Sequence, residues 1–530
     1  MHFIGEVINP CSRRKFVAQE AWHRCCLSAF AAWIYPAERI FFMPTEKFNL
    51  LNFSGKMRTL HLSWIAFFIT FMVWFNHAPL LLAIADTLHL SKEQIKTLLI
   101  LNVALTIPAR ILIGMLTDRW GPRAVYSALL ILGSIPCFTF AFADSYTVLA
   151  VSRFLLGFIG AGFVIGIRLM GEWFPAKELG TAEGVYGGWG NFGSAAAAFL
   201  LPTAAALWGG PEGWRYACAL TGVISFIYGF IFYSSVKNTP KHSTYFKPKK
   251  SRAMEVTSTG DFFLLILTKI PMYLALVLLT WKLSPAGVHL LPQPVAYGIY
   301  IGLAALFILH SYSAYQVNRE VFTQPVPEIH RYAFKQVTIL SVLYFITFGS
   351  ELAVVSILPL FFQETFHLST VVAGFLGAGF AFTNLIARPG GGILSDVLGR
   401  KKILIILAVG LVIGFAVLSC IDSHWPVWLA VMATVMCSLF VQGGNGAVFA
   451  VVPLIKRRLT GQIAGMTGAY GNVGGVVYLT IFSLVSYQIF FLFIAATALL
   501  GLLAVFFLNE PKGVIVEVMP DGSLAEITVG

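Results

Sequence analysis

The chain has 530 residues, 58% of them hydrophobic and only 11% charged, with a mean hydropathy of +0.79 and a formal net charge of +12. Apolar runs of about 20 residues recur without period-2 alternation, which excludes a soluble globular domain and a transmembrane barrel and leaves a helical, polytopic membrane protein. The positive charge sits in short connections, so the positive-inside rule accounts for it and a nucleic-acid partner does not.

Residues 1–60 mix charge and aromatics. The apolar patch at 27–34 is too short to span and has no small-residue cleavage site, so no signal peptide is read there. The segment reads as a cytoplasmic extension and lead-in, or as the result of a start assigned upstream of Met43 or Met57. A first half, 61–236, is predicted to hold six spans, at about 64–85, 97–116, 124–143, 146–170, 181–208 and 216–236. A central segment, 237–336, opens on a basic cluster of Lys237, Lys241, Lys247, Lys249, Lys250 and Arg252. It carries two more apolar runs, 262–281 and 295–315, joined by a Pro-rich link. Lys269 and Pro271 interrupt the first run; the pair is read as a spanning hairpin, with an interfacial one as the alternative. A second half, 337–509, repeats six spans at about 337–362, 370–394, 403–421, 427–452, 462–485 and 488–508, and a polar tail, 510–530, closes the chain.

Charge placement orients these spans. Arg119, Arg123, Lys177, the central cluster, Arg319, Arg331, Lys335, Arg400, Lys401, Lys402, Lys456, Arg457 and Arg458 fall on one side, and the opposite loops are nearly free of Lys and Arg. Both termini are therefore expected in the cytoplasm. The seven cysteines show no CxxC spacing, and Cys25 and Cys26 are adjacent, so neither a disulfide framework nor a metal or cofactor site is read.

Two internal echoes divide the chain. Residues 187–202, GGWGNFGSAAAAFLLP, return at 468–483 as GAYGNVGGVVYLTIFS, with positions 187, 190, 191 and 193 matching 468, 471, 472 and 474 at a constant offset of 281. Each Gly costs about 0.8–1.0 kcal/mol relative to Ala in a soluble helix. In a bilayer, small residues let helices approach closely or expose backbone to a ligand. One such stretch reads equally well as a packing seam; two, one per half, point to a central pseudo-symmetric site. The second echo pairs GMLTDRWGPR (114–123) with GGILSDVLGRKK (391–402), so that Arg110, Asp118 and Gly121 match Arg388, Asp396 and Gly399 at an offset of 278. Two six-span halves in one orientation are parallel repeats around a midplane site.

The Asp-X-X-Gly-basic loop between spans two and three resembles the signature loop of the major facilitator superfamily, as does Arg153 followed by Gly157 and Gly160 on span four. Within that superfamily the chain is similar to the nitrate/nitrite porter family, most closely to cyanobacterial and plant-type nitrate permeases. The likeness rests on the two glycine–asparagine stretches, Arg110 with Arg388, the WFNHAP run (74–79) and the YFITFGSE run (344–351). It implies an all-α major facilitator fold with two six-helix halves, here with an extra hairpin between them. It also implies that Asp118, Arg119, Gly121, Arg123, Asp396, Gly399 and Arg400 form a conformational latch and not a ligand site.

An Arg at the bilayer centre costs about 2.5–3.5 kcal/mol or more and needs a reason. Pairing with an acid is one, and Glu351 is the best-placed carboxylate, with Glu172 nearer a helix end. Two arginines against one clear acid leave a positive centre. A guanidinium is planar, always ionised and forked, which suits a small planar oxyanion. The resemblance adds Tyr344 as a substrate-contacting hydroxyl and Phe163 as a pocket wall. Gly188, Gly190, Asn191, Gly471 and Asn472 would let backbone and amide groups approach the ion. For Tyr344 or Phe163 alone, packing is the simpler reading, and Arg168 reads as a snorkelling side chain. The expected function is secondary active import of nitrate, and of nitrite, through the plasma (inner) membrane, proton-coupled through Glu351. The protein is expected to be a monomer and not an enzyme. Anion exchange, carriage of another small anion, and a nitrate sensor that does not transport are the alternatives.

Overall fold

The computed structural model describes residues 48–208, 210–240, 245, 253–324, 326–327, 331–456 and 459–510, and the backbone of 513–518 and 524–529. Residues 52–530 form one unit; 1–51 form another, of which only 48–51 are described. The apolar patch 27–34, Cys25 with Cys26, most of the central basic cluster, and Arg457 with Arg458 lie outside the described residues.

Fourteen long helices follow one another among the described residues. The first half is α1 (Gly55–Leu88), α2 (Lys92–Trp120), α3 (Pro122–Ala141), α4 (Tyr146–Trp173), α5 (Ala176–Trp208) and α6 (Gly213–Ser235). The inserted pair is α7 (Thr259–Leu283) and α8 (Gln293–Phe322). The second half is α9 (Phe334–Phe366), α10 (Thr370–Leu398), α11 (Arg400–Leu418), α12 (Val427–Ile455), α13 (Thr460–Leu484) and α14 (Tyr487–Val505). All but α13 are long and apolar enough to cross a membrane. In α13 the glycines, Asn472 and the threonines dilute the apolar content. Each predicted span coincides with one helix.

Packing repeats with the sequence. Helix α1 lies on α5 as α9 lies on α13, and α3 lies on α6 as α11 lies on α14. Across the halves, α5 packs on α10 and α13 packs on α2. The most apolar stretch of α9 is 94% buried and that of α8 only 6%, so α9 runs through the centre while α8 lies at the edge.

Helix interruptions recur at matched places. Helix α2 breaks at Leu105, where Pro108 has no N–H to give the Ala104 carbonyl. Helix α10 breaks at Thr383, 278 positions later, where the threonine hydroxyl bonds back to the Phe380 carbonyl at 2.9 Å. Farther along α10, Pro389 leaves the Leu385 carbonyl without its helical donor, and Trp189 Nε1 of α5 donates to it at 3.2 Å. Each break precedes a buried arginine by five residues, Arg110 or Arg388.

The tail, read from the sequence as polar, holds a strand pair. Strands β1 (Gly513–Val518) and β2 (Leu524–Val529) pair antiparallel, Gly513 opposite Val529 and Val518 opposite Leu524. Both runs are rich in β-branched residues, and Pro520, Asp521 and Gly522 between them are turn formers.

Candidate functional site

The two arginines meet at the middle of the molecule. Arg110 of α2 is fully buried: its Nε donates to the Gly160 carbonyl of α4 at 3.4 Å and its Nη1 to the Gly468 carbonyl of α13 at 2.6 Å. Arg388 of α10, equally buried, donates through Nη2 to the Tyr344 hydroxyl of α9 at 3.1 Å. Both guanidiniums lie against the same two rings. Phe163 is 5.3 Å from each, and Phe348 is 4.9 Å from Arg110 and 5.8 Å from Arg388. Tyr344 stacks on Phe348 at 4.9 Å and nearly parallel, so α9 presents a rigid aromatic wall. Each arginine keeps one buried Nη without a hydrogen-bond acceptor among the described residues, Nη2 of Arg110 and Nη1 of Arg388. A buried ionised donor left unpaired is expensive, and these two atoms are the donors of the cluster still open to an acceptor.

The glycine stretches serve this centre crosswise. A Cβ at Gly187 of α5 would stand 2.8 Å from Nε of Arg388, and one at Gly468 of α13 would stand 3.1 Å from Nη1 of Arg110. Each half's glycine helix thus makes room for the other half's arginine. One turn on, Gly190 lies against the Phe67 ring of α1, and Gly471 against Phe348 and Tyr344 of α9. Phe67 and Tyr344 are 277 positions apart, so the aromatic wall is itself repeated. Gly188 faces the Asn384 carbonyl, the Pro389 ring and the Arg388 side chain of α10, a contact between halves beside the arginine.

The two asparagines of the stretches do different things. Asn472 donates to Gly468 on its own helix at 3.2 Å, the same carbonyl that receives Arg110. Asn191 reaches across to the second half and donates to Oε1 of Glu351 at 3.0 Å. Glu351 is also held by Asn384 at 2.8 Å on Oε1 and by Asn445 at 2.6 Å on Oε2. Gln442 joins when its amide is oriented to satisfy its neighbours, which turns the nitrogen toward the carboxylate, 2.9 Å from Oε2. Arg388 Nη1 stands 3.7 Å from Oε2, an ion pair longer than a hydrogen bond.

Sequence reasoning missed several of these groups. Gly187 and Gly468 opened the quoted stretches but were not assigned to the arginines. Phe348 was legible as the residue one turn after Tyr344. Asn384, Gln442 and Asn445 carried no repeat and no motif, so nothing in the sequence pointed to them. A second buried carboxylate, Glu183 of α5, was also passed over; neither of its oxygens has a hydrogen-bond partner among the described residues.

The residues that the family resemblance assigns to a latch gather at the ends of α2 and α10. Gly121 and Gly399 turn there at φ +88° and +100°. Asp118 pairs with Arg168 at 3.1 Å, and Arg168 also holds Glu172 at 2.9 Å, so Arg168 is a network member and not a snorkelling side chain. Tyr245 donates to the Thr117 carbonyl at 2.7 Å, and burial pushes its hydroxyl up to about 12, which keeps it a donor at neutral pH. Asp396 pairs with Arg400 at 2.7 Å. Across the halves, a Cβ at Gly461, at the start of α13, would stand 3.6 Å from Asp118, and one at Gly180, near the start of α5, 3.0 Å from Asp396. The residues that follow each half cap its turn: Asn238 accepts from Arg123 N at 2.9 Å, and Glu510 from Arg400 N at 2.6 Å. Arg123 also donates to the Tyr233 carbonyl, while Arg119 is exposed.

Comparison with known proteins gives the family and the fold. The model of the Major Facilitator Superfamily matches residues 63–322 and 340–519. The chain is 48% identical over 473 residues to a nitrate/nitrite transporter NrtP of Nostoc punctiforme, covering 88% of this chain and 95% of that one. It is 29% identical to a high-affinity nitrate transporter 2.3 of Oryza sativa subsp. japonica, covering 83% of this chain and 75% of that one. A nitrite extrusion protein of Bacillus subtilis is 27% identical, covering 76% and 81%. Among solved structures, the fold resembles the xylose transporter XylE from E. coli, with a TM-score of 0.57 at 16% identity, covering 86% of this chain and 99% of that one.

Proposed function

The chain belongs to the major facilitator superfamily, in its nitrate/nitrite porter family, and we propose that it imports nitrate and nitrite by alternating access, with the ion clamped between Arg110 and Arg388. It is a nitrate/nitrite transporter and not an enzyme. One observation carries the clamp: two buried guanidiniums share the Phe163 and Phe348 rings, and each holds an unpartnered Nη. With Glu351 ionised, the centre has one surplus positive charge, which one nitrate neutralises. The planar forks and flat aromatic walls suit a planar ion better than a bulky one. Tyr344 orients Arg388, Asn472 and the Gly468 carbonyl orient Arg110, and the Asp118 and Asp396 networks act as the latch between states. The protein works as a monomer in the plasma (inner) membrane with both termini in the cytoplasm, and α7 with α8 cross the bilayer as a hairpin.

Inward movement of an anion opposes an inside-negative potential by about 2.3 kcal/mol per charge per 100 mV. Uptake is therefore proton-coupled, with Glu351, the carboxylate beside Arg388, as the relay. Exchange of one anion for another is the second reading; the carboxamides that occupy Glu351 favour it, because they give that side chain a structural role. Labelled nitrate uptake into proteoliposomes, with and without a pH gradient, separates the two. Glu351→Gln should lose gradient-driven accumulation and keep nitrate–nitrate exchange. Glu183→Gln is the comparison, as the other buried carboxylate: if it alone loses accumulation, Glu351 is not the relay. A wild type that ignores the gradient and only exchanges sinks symport altogether.

A further inference from the structure

We infer that Asn384, Gln442 and Asn445, together with Asn191 from the other half, are positioning residues that keep Glu351 off the guanidinium fork of Arg388. The inference rests on the two-arginine clamp described above and concerns how that clamp stays open to an ion.

A carboxylate and a guanidinium left to themselves in a dry interior close into paired hydrogen bonds of about 2.7–2.9 Å. Glu351 and Arg388 are both buried and adjacent, yet their ion pair stands at 3.7 Å, and Arg388 Nη1 has no hydrogen-bond acceptor among the described residues. The reason lies on the other side of the carboxylate. A carboxylate offers about four lone-pair positions. Asn191 and Asn384 take Oε1 at 3.0 and 2.8 Å, and Asn445 and Gln442 take Oε2 at 2.6 and 2.9 Å. Four amide N–H groups fill the acceptor capacity and pull the carboxylate away from the arginine. Glu351 thereby offsets the charge of Arg388 at short range without occupying its donors. Without the cage it would swing onto Nη1 and act as a built-in competitor of the substrate.

The residues come from separate places: Asn191 from α5, Asn384 from α10, and Gln442 and Asn445 from one face of α12, three residues apart. Among the described residues none of the four hydrogen-bonds a guanidinium, and Gln442 also bonds Asn384. Their shared partner is Glu351, which distinguishes positioning of that carboxylate from general packing.

The test is titration of sodium nitrate into the purified full-length protein by calorimetry, with sodium chloride as the control anion. Asn445→Leu and, independently, Asn384→Leu each remove one donor and free one lone-pair position. Nitrate affinity should fall about tenfold in each, the equivalent of one hydrogen bond to a charged group. Adding Glu351→Gln to either variant should return the affinity to that of Glu351→Gln alone, because a carboxamide cannot ion-pair with Arg388. Such a rescue is not available to a site that has merely collapsed. Wild-type affinity in both leucine variants overturns the inference, and so does a double variant that binds no better than its leucine parent. A wild-type protein with no saturable nitrate binding removes the clamp reading itself, and this inference with it.

Discussion

Burying Arg110 and Arg388 costs several kcal/mol in total, and the two are compensated differently. Among the described residues Arg110 has two carbonyl acceptors and two ring faces but no ion-paired carboxylate, whereas Arg388 has the Tyr344 hydroxyl and Glu351 at 3.7 Å. In the proposed clamp the substrate is therefore worth more to Arg110. Replacing either by Lys keeps the charge but loses the planar fork. Arg110→Lys and Arg388→Lys should each weaken nitrate binding by about 2 kcal/mol or more, roughly 30-fold, with Arg110→Lys the worse. Nitrate counterflow in proteoliposomes, normalised to reconstituted protein, measures this. Near-normal counterflow in either variant is incompatible with a clamp.

Among the helices, the glycine stretches of α5 and α13 carry the sharpest consequences. A Cβ at Gly190 would run into the Phe67 ring, and one at Gly471 would stand 2.6 Å from Phe348 and 2.8 Å from Tyr344. Gly190→Leu or Gly471→Leu should block turnover while the protein still reaches the membrane, since the added side chain fills the aromatic wall or the seam that moves. Wild-type uptake with Leu at both positions would show that these helices do not line the path. Gly193 and Gly474 are tighter in another way: a Cβ would meet backbone, the Phe68 and Phe345 carbonyls. Backbone yields less than a side chain. Gly474→Ala should therefore cost about 1–3 kcal/mol of stability, read as a lower midpoint in thermal unfolding in detergent, whereas loss of activity without loss of stability would contradict the packing role.

On the scale of the molecule, the inserted hairpin touches both halves without reaching the arginines. Lys282 of α7 pairs with Glu93 of α2 at 2.8 Å, and Tyr470 of α13 donates to the Thr268 carbonyl of α7 at 2.6 Å. Joining Lys250 to Arg331 through a flexible linker should leave nitrate binding measurable, because all of the groups around the clamp lie in the two six-helix halves. The rate of turnover should change, because contacts that span the two halves are lost. A folded, monodisperse deletion that no longer binds nitrate would place the hairpin in the transport core.

The class of fold, the series of helices and the pairing of Arg110 with Arg388 were legible in the sequence alone, because each rests on local or repeated information. Hydropathy over about 20 residues marks a span whatever surrounds it. An arginine in such a run is conspicuous at any depth, and the matched offsets of 278 and 281 tied Arg110 to Arg388 and Gly187 to Gly468. What only the tertiary structure decided is which side chains meet when helices from different halves are brought together. Asn191 donates to Glu351 on a helix of the other half, while its partner in the repeat, Asn472, bonds to its own helix. Asn384, Gln442 and Asn445 were invisible because a lone amide in an apolar run has no periodicity and no charge. Its meaning comes from the carboxylate it faces, and that carboxylate lies on another helix.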